Sequence, residues 1–272
     1  MDSRDRPKKY WPPDGPGSTD VRRALPSTPG LPSTSGRLVA LAVAALASLQ
    51  LSAVADAEQA LTPHTARYDV RISVLGGTLV SEVTKAGPGY MAKSVIKPTG
   101  MSRMVARGVI QESSYFLVDS DGVQPTQYRS IDTLSSEDQT VSLDFDAREH
   151  AVDGVVNDRE FHTSFDGRVH DRVSIQYELM LDLLNGDAAE QYSMIDGDEL
   201  KLLKVTNVGR RNVEVPYGKF EATGIQHARE NSSRTTTLWC AKELGYLPVI
   251  IEQHRDGKLR VRAVLTSYEP TL

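Results

Sequence analysis

Polar and apolar residues alternate along most of this chain, and that pattern limits the folds open to it. An early example is Arg67 to Val74, RYDVRISV, where every second residue is apolar. Near the end, Leu247 to His254 and Lys258 to Tyr268 flank Asp256-Gly257, a favoured two-residue hairpin turn. Alternation over four to eight residues between turn residues is typical of half-buried strands. The sequence therefore predicts many short antiparallel β-strands.

One segment has helical spacing instead. Its apolar positions recur every three or four residues, with Asp171 where an N-cap belongs and Asn185-Gly186 as a stop. The residues that carry this spacing are Val173, Ile175, Gln176, Leu179, Met180, Leu183 and Leu184. Many strands and one amphipathic helix predict a mainly β fold. We expect a curved antiparallel sheet or an open β-barrel with that one helix packed against it.

The first 57 residues read as a leader followed by an export signal. Residues 1–36 are rich in Pro, Gly, Ser and Thr, a composition that predicts disorder. Residues 37–57 combine Arg37, a short apolar run and Ala55-Asp56-Ala57, which together predict a signal peptide cleaved between Ala57 and Glu58. The alternative, a buried core helix, fits the disordered flank poorly. One explanation for the long leader is that translation begins downstream, for example at Val21.

Residues 58–272 are then expected to form one β-rich domain with an acidic balance. Residues 1–57 carry 7 of the 31 basic and 5 of the 36 acidic groups, which leaves 24 basic, 31 acidic and a net charge of −7. That balance disfavours electrostatic binding to nucleic acid or to an anionic membrane surface. After cleavage we expect no stable membrane-spanning segment. With Cys240 as its only cysteine, the chain forms no internal disulfide.

The motifs of the common enzyme classes are absent from the sequence. No Gly-x-Ser-x-Gly elbow occurs, and Cys240 follows Trp239 in an apolar segment, where a buried packing role is expected. The histidines show no His-x-x-x-His spacing, and no glycine-rich loop opens a helix. We therefore predict no catalytic, metal or cofactor residues and no cofactor. The histidines are His64, His150, His162, His170, His227 and His254.

Three polar groups leave weaker alternatives open. Asp144 and Asp146 share a strand face at a separation of roughly 6–7 Å, which could suit acid/base chemistry but fits a solvated face better. Asp119-x-Asp121-Gly122 is better explained as a hairpin turn than as a calcium loop. Arg260 and Arg262 could bind an anion, although a solvated face is the simpler explanation. Whether the chain is an enzyme stays open, with the balance against it.

Several stretches, in order, resemble a bacterial envelope family, the domain-of-unknown-function family 3108. The most specific is the closing Thr237-Leu238-Trp239 with Tyr246-Leu247-Pro248-Val249. The others are Tyr68-Asp69-Val70, Gly122 to Tyr128, Phe145-Asp146, Ser174 to Leu179 with Leu183, and Val215 to Phe220. The resemblance covers essentially all of residues 58–272 and implies an exported, nearly all-β domain of unsettled function. It supplies no catalytic residue.

Three functions remain in competition. The leading hypothesis is a non-enzymatic periplasmic protein that holds an apolar or amphiphilic ligand, such as a lipid, or an envelope protein in the concavity of its sheet. That shape is shared by lipocalin-like and lipoprotein-carrier folds, an analogy of fold alone. The second is an envelope hydrolase using scattered carboxylates, and the third is an assembly factor without a small ligand. Trp239, Tyr246, Leu247 and Pro248 are expected in the core, outside any binding site.

Overall fold

The computed structural model describes residues 61–271, which form 15 β-strands, one α-helix and two short 3₁₀ turns. The predicted leader, signal peptide and Ala57/Glu58 cleavage site lie outside the described residues. The helix α1 is Ser174–Asn185, and the 3₁₀ turns are Gly100–Met104 and Lys242–Leu244. The strands are β1 His64–Ile72, β2 Leu75–Ala86, β3 Gly89–Pro98, β4 Ile110–Asp119, β5 Gly122–Asp132, β6 Gln139–Asp146, β7 Ala151–Val156, β8 Arg159–Ser164, β9 Val169–His170, β10 Gln191–Asp196, β11 Glu199–Val215, β12 Gly218–Arg229, β13 Arg234–Ala241, β14 Leu247–Arg255 and β15 Lys258–Pro270.

All 15 strands belong to one sheet, whose order is β8 to β1 followed by β15 to β9. Every neighbouring pair is antiparallel except β9 and β10, which are parallel and joined through α1. The first and last strands, β1 and β15, pair in the middle of the sheet, along the full length of β1. The two edge strands, β8 and β9, are separated in sequence only by residues 165–168. Because so short a link brings the edges together at one end, the sheet must curl into an open barrel. The predicted fold class is confirmed.

The helix begins where the sequence places its cap and lies on the concave side of the sheet. The Asp171 carboxylate accepts the N–H groups of Val173 and Ser174 at 2.7 and 2.8 Å, and Ser174 Oγ accepts the Asp171 N–H in return. These bonds satisfy N–H groups that the first helical turn leaves unpaired. Tyr177 then stacks on Phe116 of β4, with ring centroids 5.2 Å apart. The helix is thereby fixed against the β1–β6 half of the sheet.

A buried carboxylate locks the same helix onto the β4–β5 hairpin. Glu178 Oε2 accepts the Val123 N–H at 2.5 Å, and Arg168 donates to Oε1 at 3.3 Å. Gly122, at φ +118°, leaves room for this pairing, since a Cβ there would lie 2.3 Å from the Arg168 guanidinium and 2.6 Å from Glu178. The Asp119–Gly122 segment is therefore a hairpin turn, as predicted, whose glycine is required by the helix beneath it.

The helix is buried on two sides. Tyr177, Met180 and Leu181 belong to the main core, whereas Leu179 and Leu183 pack in a second cluster with residues of β10, β12 and β13. The residues of the closing motif are in the core as expected, since Trp239 and Tyr246 are 9% exposed and Leu247 and Pro248 are buried. The side of α1 that carries Leu179 therefore faces β10, β12 and β13.

Candidate functional site

The carboxylates considered for acid/base chemistry do not form a shared site. Arg129 donates two hydrogen bonds to the Asp144 carboxylate, at 2.9 and 3.2 Å, and both side chains are about half exposed. Asp146 accepts the N–H groups of Glu149 and Arg148 in the β6–β7 turn, and these bonds lower its pKa. A general acid needs a raised pKa. These two positions therefore offer no acid/base pair.

The other polar candidates also have structural roles. The Asp119 carboxylate accepts the Asp121 N–H at 2.8 Å and so closes the β4–β5 turn. Arg262 pairs with Glu252 at 3.5 Å, while Arg260 is exposed near the β14–β15 turn. Within residues 61–271, no three His, Cys, Asp or Glu side chains come together as metal ligands. Cys240 is buried, and burial raises the pKa of its thiol.

A cavity of about 350 Å³ lies between α1 and the concave face of β10–β14. Four of its lining residues are buried and form an apolar floor: Leu179, Tyr192, Leu203 and Ile225. Three exposed arginines stand around its opening: Arg172, Arg229 and Arg234. We call this space the helix cavity and its arginine-bearing opening the mouth.

Two neighbouring strands that line the helix cavity, β12 and β13, change from apolar to charged along their length. On β12, Ile225 is fully buried, His227 is half-buried and Arg229 is exposed. The same order holds for Leu238, Thr236 and Arg234 on β13. Residues two apart on a strand share a face, so period-two alternation places all three members of each set in the cavity. The result on β12 and β13 is a gradient from an apolar floor to a basic mouth, and the helix repeats it from Leu179 to Arg172. On β10 the lining residues end in the acidic Asp196 instead.

Acidic partners neutralise one of the three arginines. Arg172 Nε lies 3.2 Å from Glu112, which is nearly buried and also accepts the Tyr128 hydroxyl at 2.8 Å. Arg172 also approaches Asp196 at 3.8 Å. Burial alone would raise the pKa of Asp196, but Lys201 and Arg172 lower it, so this carboxylate is ionised. The pairing holds Arg172 in place at the N-terminal end of α1.

The remaining two arginines are less engaged by acidic groups, although the charge of Arg229 helps to lower the pKa of Asp196. Among the described residues, neither Arg229 nor Arg234 forms an ion pair. Burial lowers the pKa of His227, which stands between the floor and these arginines, so its imidazole is neutral near pH 7. An exposed guanidinium binds carboxylate or phosphate through paired hydrogen bonds. The mouth is therefore suited to an anionic group, and the floor to an apolar chain.

Comparison with known proteins decides the family. The family described as "Protein of unknown function (DUF3108)" matches residues 65–263. The chain belongs to this family. The resemblance read from the sequence is confirmed, and the matched range spans every strand that lines the helix cavity. The family's description assigns no activity. The function therefore has to be inferred from the geometry of the site.

Two solved structures are similar to this member of the family. A β-barrel-like protein of domain of unknown function DUF1849 from Brucella abortus has a TM-score of 0.52 and 15% identity, over 78% of this chain and 99% of that one. A chain described as a "putative lipoprotein" from Parabacteroides distasonis has 12% identity over 78% and 96% of the two chains. Its TM-score is 0.35, which is too low to support an inference about this chain. The first likeness supports the fold alone. No curated protein matches the chain.

Among the described residues, no helix has the length and apolar character needed to cross a membrane.

Sequence reasoning missed the helix cavity, although a signal for it was present. Ile225-x-His227-x-Arg229 and Arg234-x-Thr236-x-Leu238 are mirror-image gradients on either side of a turn. In an antiparallel hairpin, such gradients place both apolar ends together and both arginines together. The contribution of α1 could not be read in the same way, because nothing in the sequence shows which strands a helix faces.

The buried Asp171 that caps α1 makes stability depend on pH. Burial raises the pKa of its carboxyl from 3.8 to about 6, against the opposing effect of bonds from Ser114, Ser174 and Val173. Between these two values the folded protein binds a proton here that the unfolded chain does not, so this group adds stability as the pH falls. Asp171→Asn removes that titration. The free energy of unfolding of the wild type, minus that of Asp171→Asn, should rise between about pH 7 and about pH 5.

Urea denaturation followed by circular dichroism measures this difference. Histidine contributions are common to both proteins and cancel in the subtraction. An identical difference at both pH values would show that Asp171 stays ionised in the folded protein.

Proposed function

We propose that this protein is a non-enzymatic binding protein of the bacterial envelope that holds a single-chain anionic amphiphile. The apolar chain lies along the floor of the helix cavity, and the anionic head group meets Arg229 and Arg234 at the mouth. The observation that carries the proposal is the gradient repeated on the neighbouring strands β12 and β13, with Ile225 and Leu238 at one end and the unpaired Arg229 and Arg234 at the other.

The size of the cavity indicates which amphiphiles suit it. Its volume of about 350 Å³ is near the lower end of the range of about 300–1,000 Å³ common for small-molecule sites. One acyl chain fits such a space better than a two-chain phospholipid. The neutral His227 and the polar Gln176 and Thr236 between floor and mouth can donate hydrogen bonds to an oxygen-bearing head group.

The export signal supplies the compartment in this proposal. A cleavable signal peptide over residues 37–57 would deliver residues 58–272 to the periplasm, where amphiphiles need a carrier to cross an aqueous space. The competing hydrolase has no comparable support, because Asp144 is paired with Arg129 and Asp146 closes a turn.

Titration of the purified protein with a fluorescent long-chain fatty acid tests the proposal. We expect saturable binding near micromolar concentration, one ligand per chain. The matching fatty alcohol should bind at least about tenfold more weakly, because it lacks the charge-assisted bonds worth about 1.5–3 kcal/mol. If neither probe saturates, or if acid and alcohol bind equally, the proposed role of the mouth is wrong.

A further inference from the structure

An exposed apolar cluster projects from the end of the sheet where the helix cavity opens. Val74, at the β1–β2 turn, is 93% exposed, and Met101, Met104 and Val105 are 85%, 75% and 76% exposed. We call these four residues the apolar tip. Large aliphatic side chains this exposed, and this close together, mark an interaction site in a soluble domain.

Hydrogen bonds hold the apolar tip together as a built feature. Ser102, which is buried between the two methionines, accepts the Gly76 N–H on its Oγ at 2.8 Å. The Thr99 N–H donates to the Gly76 carbonyl at 3.0 Å. The 3₁₀ turn is therefore fixed against the β1–β2 hairpin, with its small polar residue inward and its methionines outward. Stability alone would favour burying the methionines and exposing the serine, so this arrangement indicates a role in binding.

The same end of the molecule links the apolar tip to the mouth. The Ser73 N–H donates to the Arg260 carbonyl at 3.1 Å, which ties the β1–β2 turn to the start of β15. The Asp256 N–H donates to the Ser233 carbonyl at 3.1 Å, which ties the β14–β15 turn to the β12–β13 turn. Since Arg229 and Arg234 flank that last turn, the mouth and the apolar tip lie at one end of the sheet.

The segments that form this end are basic. Residues 70–81, 95–111 and 257–268 contain no aspartate or glutamate. They carry six exposed bases that form no ion pair with a described residue: Arg71, Lys97, Arg103, Arg107, Lys258 and Arg260. A seventh, Arg262, pairs with Glu252. One acidic residue, Asp256, lies in the β14–β15 turn beside these bases, whereas Asp132, Glu137 and Asp198 lie on other hairpins. Although residues 58–272 have a net charge of −7, the local charge around the apolar tip is positive.

We propose that the apolar tip docks on an anionic lipid bilayer, with its aliphatic side chains inserted among the head groups and the neighbouring bases on lipid phosphates. Protruding methionine and valine surrounded by Arg and Lys is the arrangement of interfacial membrane-binding elements. A protein partner would more often meet a flat patch with aromatic anchors, and the apolar tip contains none. Docking in this orientation brings the mouth to the bilayer surface. An amphiphile could then exchange between bilayer and cavity. This exchange rests on the proposed function, whereas the docking itself does not.

Flotation with lipid vesicles tests the docking. The purified protein should float with vesicles of phosphatidylethanolamine and phosphatidylglycerol, less so at high salt, and poorly with phosphatidylcholine alone. The variant V74S/M101S/M104S/V105S should lower the partition coefficient at least about tenfold, because it removes the inserted apolar surface. The double variant Arg103→Gln/Arg107→Gln should reduce binding to the anionic vesicles but not to phosphatidylcholine vesicles, since each base near an anionic surface contributes about 1 kcal/mol.

Two controls make the outcome decisive. Tyr217→Ser removes a side chain that is 40% exposed at the opposite end of β11, and it should float like the wild type. The fatty-acid affinity of the four-residue variant, measured without vesicles, should equal that of the wild type, which separates docking from ligand binding. If the wild type fails to float, or if the four-residue variant floats equally well, membrane docking is wrong. A protein partner for the apolar tip then becomes the better explanation.

Discussion

Replacing Arg229 and Arg234 with glutamate should weaken the binding of anionic amphiphiles by about 100-fold or more, since two charge-assisted contacts of about 1.5–3 kcal/mol each are lost. Both arginines are exposed at the mouth and form no ion pair with a described residue. Stability should therefore change little. The affinity for the uncharged alcohol should also change little, because the apolar floor is untouched.

A matched variant controls for the change in net charge. Arg148→Glu with Lys219→Glu makes the same charge change at exposed positions far from the helix cavity. Its fatty-acid affinity should stay within about threefold of the wild type, as screening at physiological salt limits long-range effects to about 8 Å. If both double variants lose affinity equally, the protein attracts anions by overall charge and the mouth has no specific role.

Trp239→Ala should lower the free energy of unfolding by roughly 3–5 kcal/mol, the range for truncating a buried large aromatic side chain. The indole is 9% exposed and packs over Gly224, where a Cβ would lie 2.7 Å from the ring. The Arg211 guanidinium lies over the ring, 3.6 Å from its centroid. Its Nε1–H donates to Glu252 at 3.2 Å. The substitution leaves a cavity and removes a partner from a carboxylate.

Urea denaturation followed by far-ultraviolet circular dichroism measures this effect. Trp239→Phe keeps most of the packing and loses the hydrogen bond, so it should cost about 1–3 kcal/mol, and it remains informative if the alanine variant does not fold. Because Leu238, and not Trp239, lines the helix cavity, folded Trp239→Phe should bind the fatty acid normally. An unchanged unfolding midpoint in Trp239→Ala would show that the ring does not pack as described.

Local pattern predicted the elements of this fold better than their arrangement. Alternation located most strands, and helical spacing placed the helix at Val173–Leu184, close to the observed Ser174–Asn185. The short edge strands β8 and β9 and the strand β10 were missed, since strands of two to six residues give little periodicity. The long strand β11 is interrupted by a bulge between Asn207 and Arg210. A bulge breaks the alternation that the prediction relies on.

The site was less accessible to sequence reasoning for a different reason. Asp144 and Asp146 were considered because they are close in sequence, but their partners lie elsewhere: Arg129 on β5 and the N–H groups of the next turn. The helix cavity is assembled from six elements that meet only after the sheet curls around α1. Spacing within one segment can suggest a shared face, whereas contacts across distant strands require the topology.

Native mass spectrometry of the protein purified from its own envelope tests the central claim, that the helix cavity holds an anionic amphiphile, most directly. We expect a 1:1 complex with an acidic, single-chain species that is released on collisional activation. The complex should be absent from the Arg229→Glu/Arg234→Glu variant purified in parallel. A wild-type protein that shows only its unliganded mass, and that stays unliganded after incubation with fatty acid, would contradict the claim.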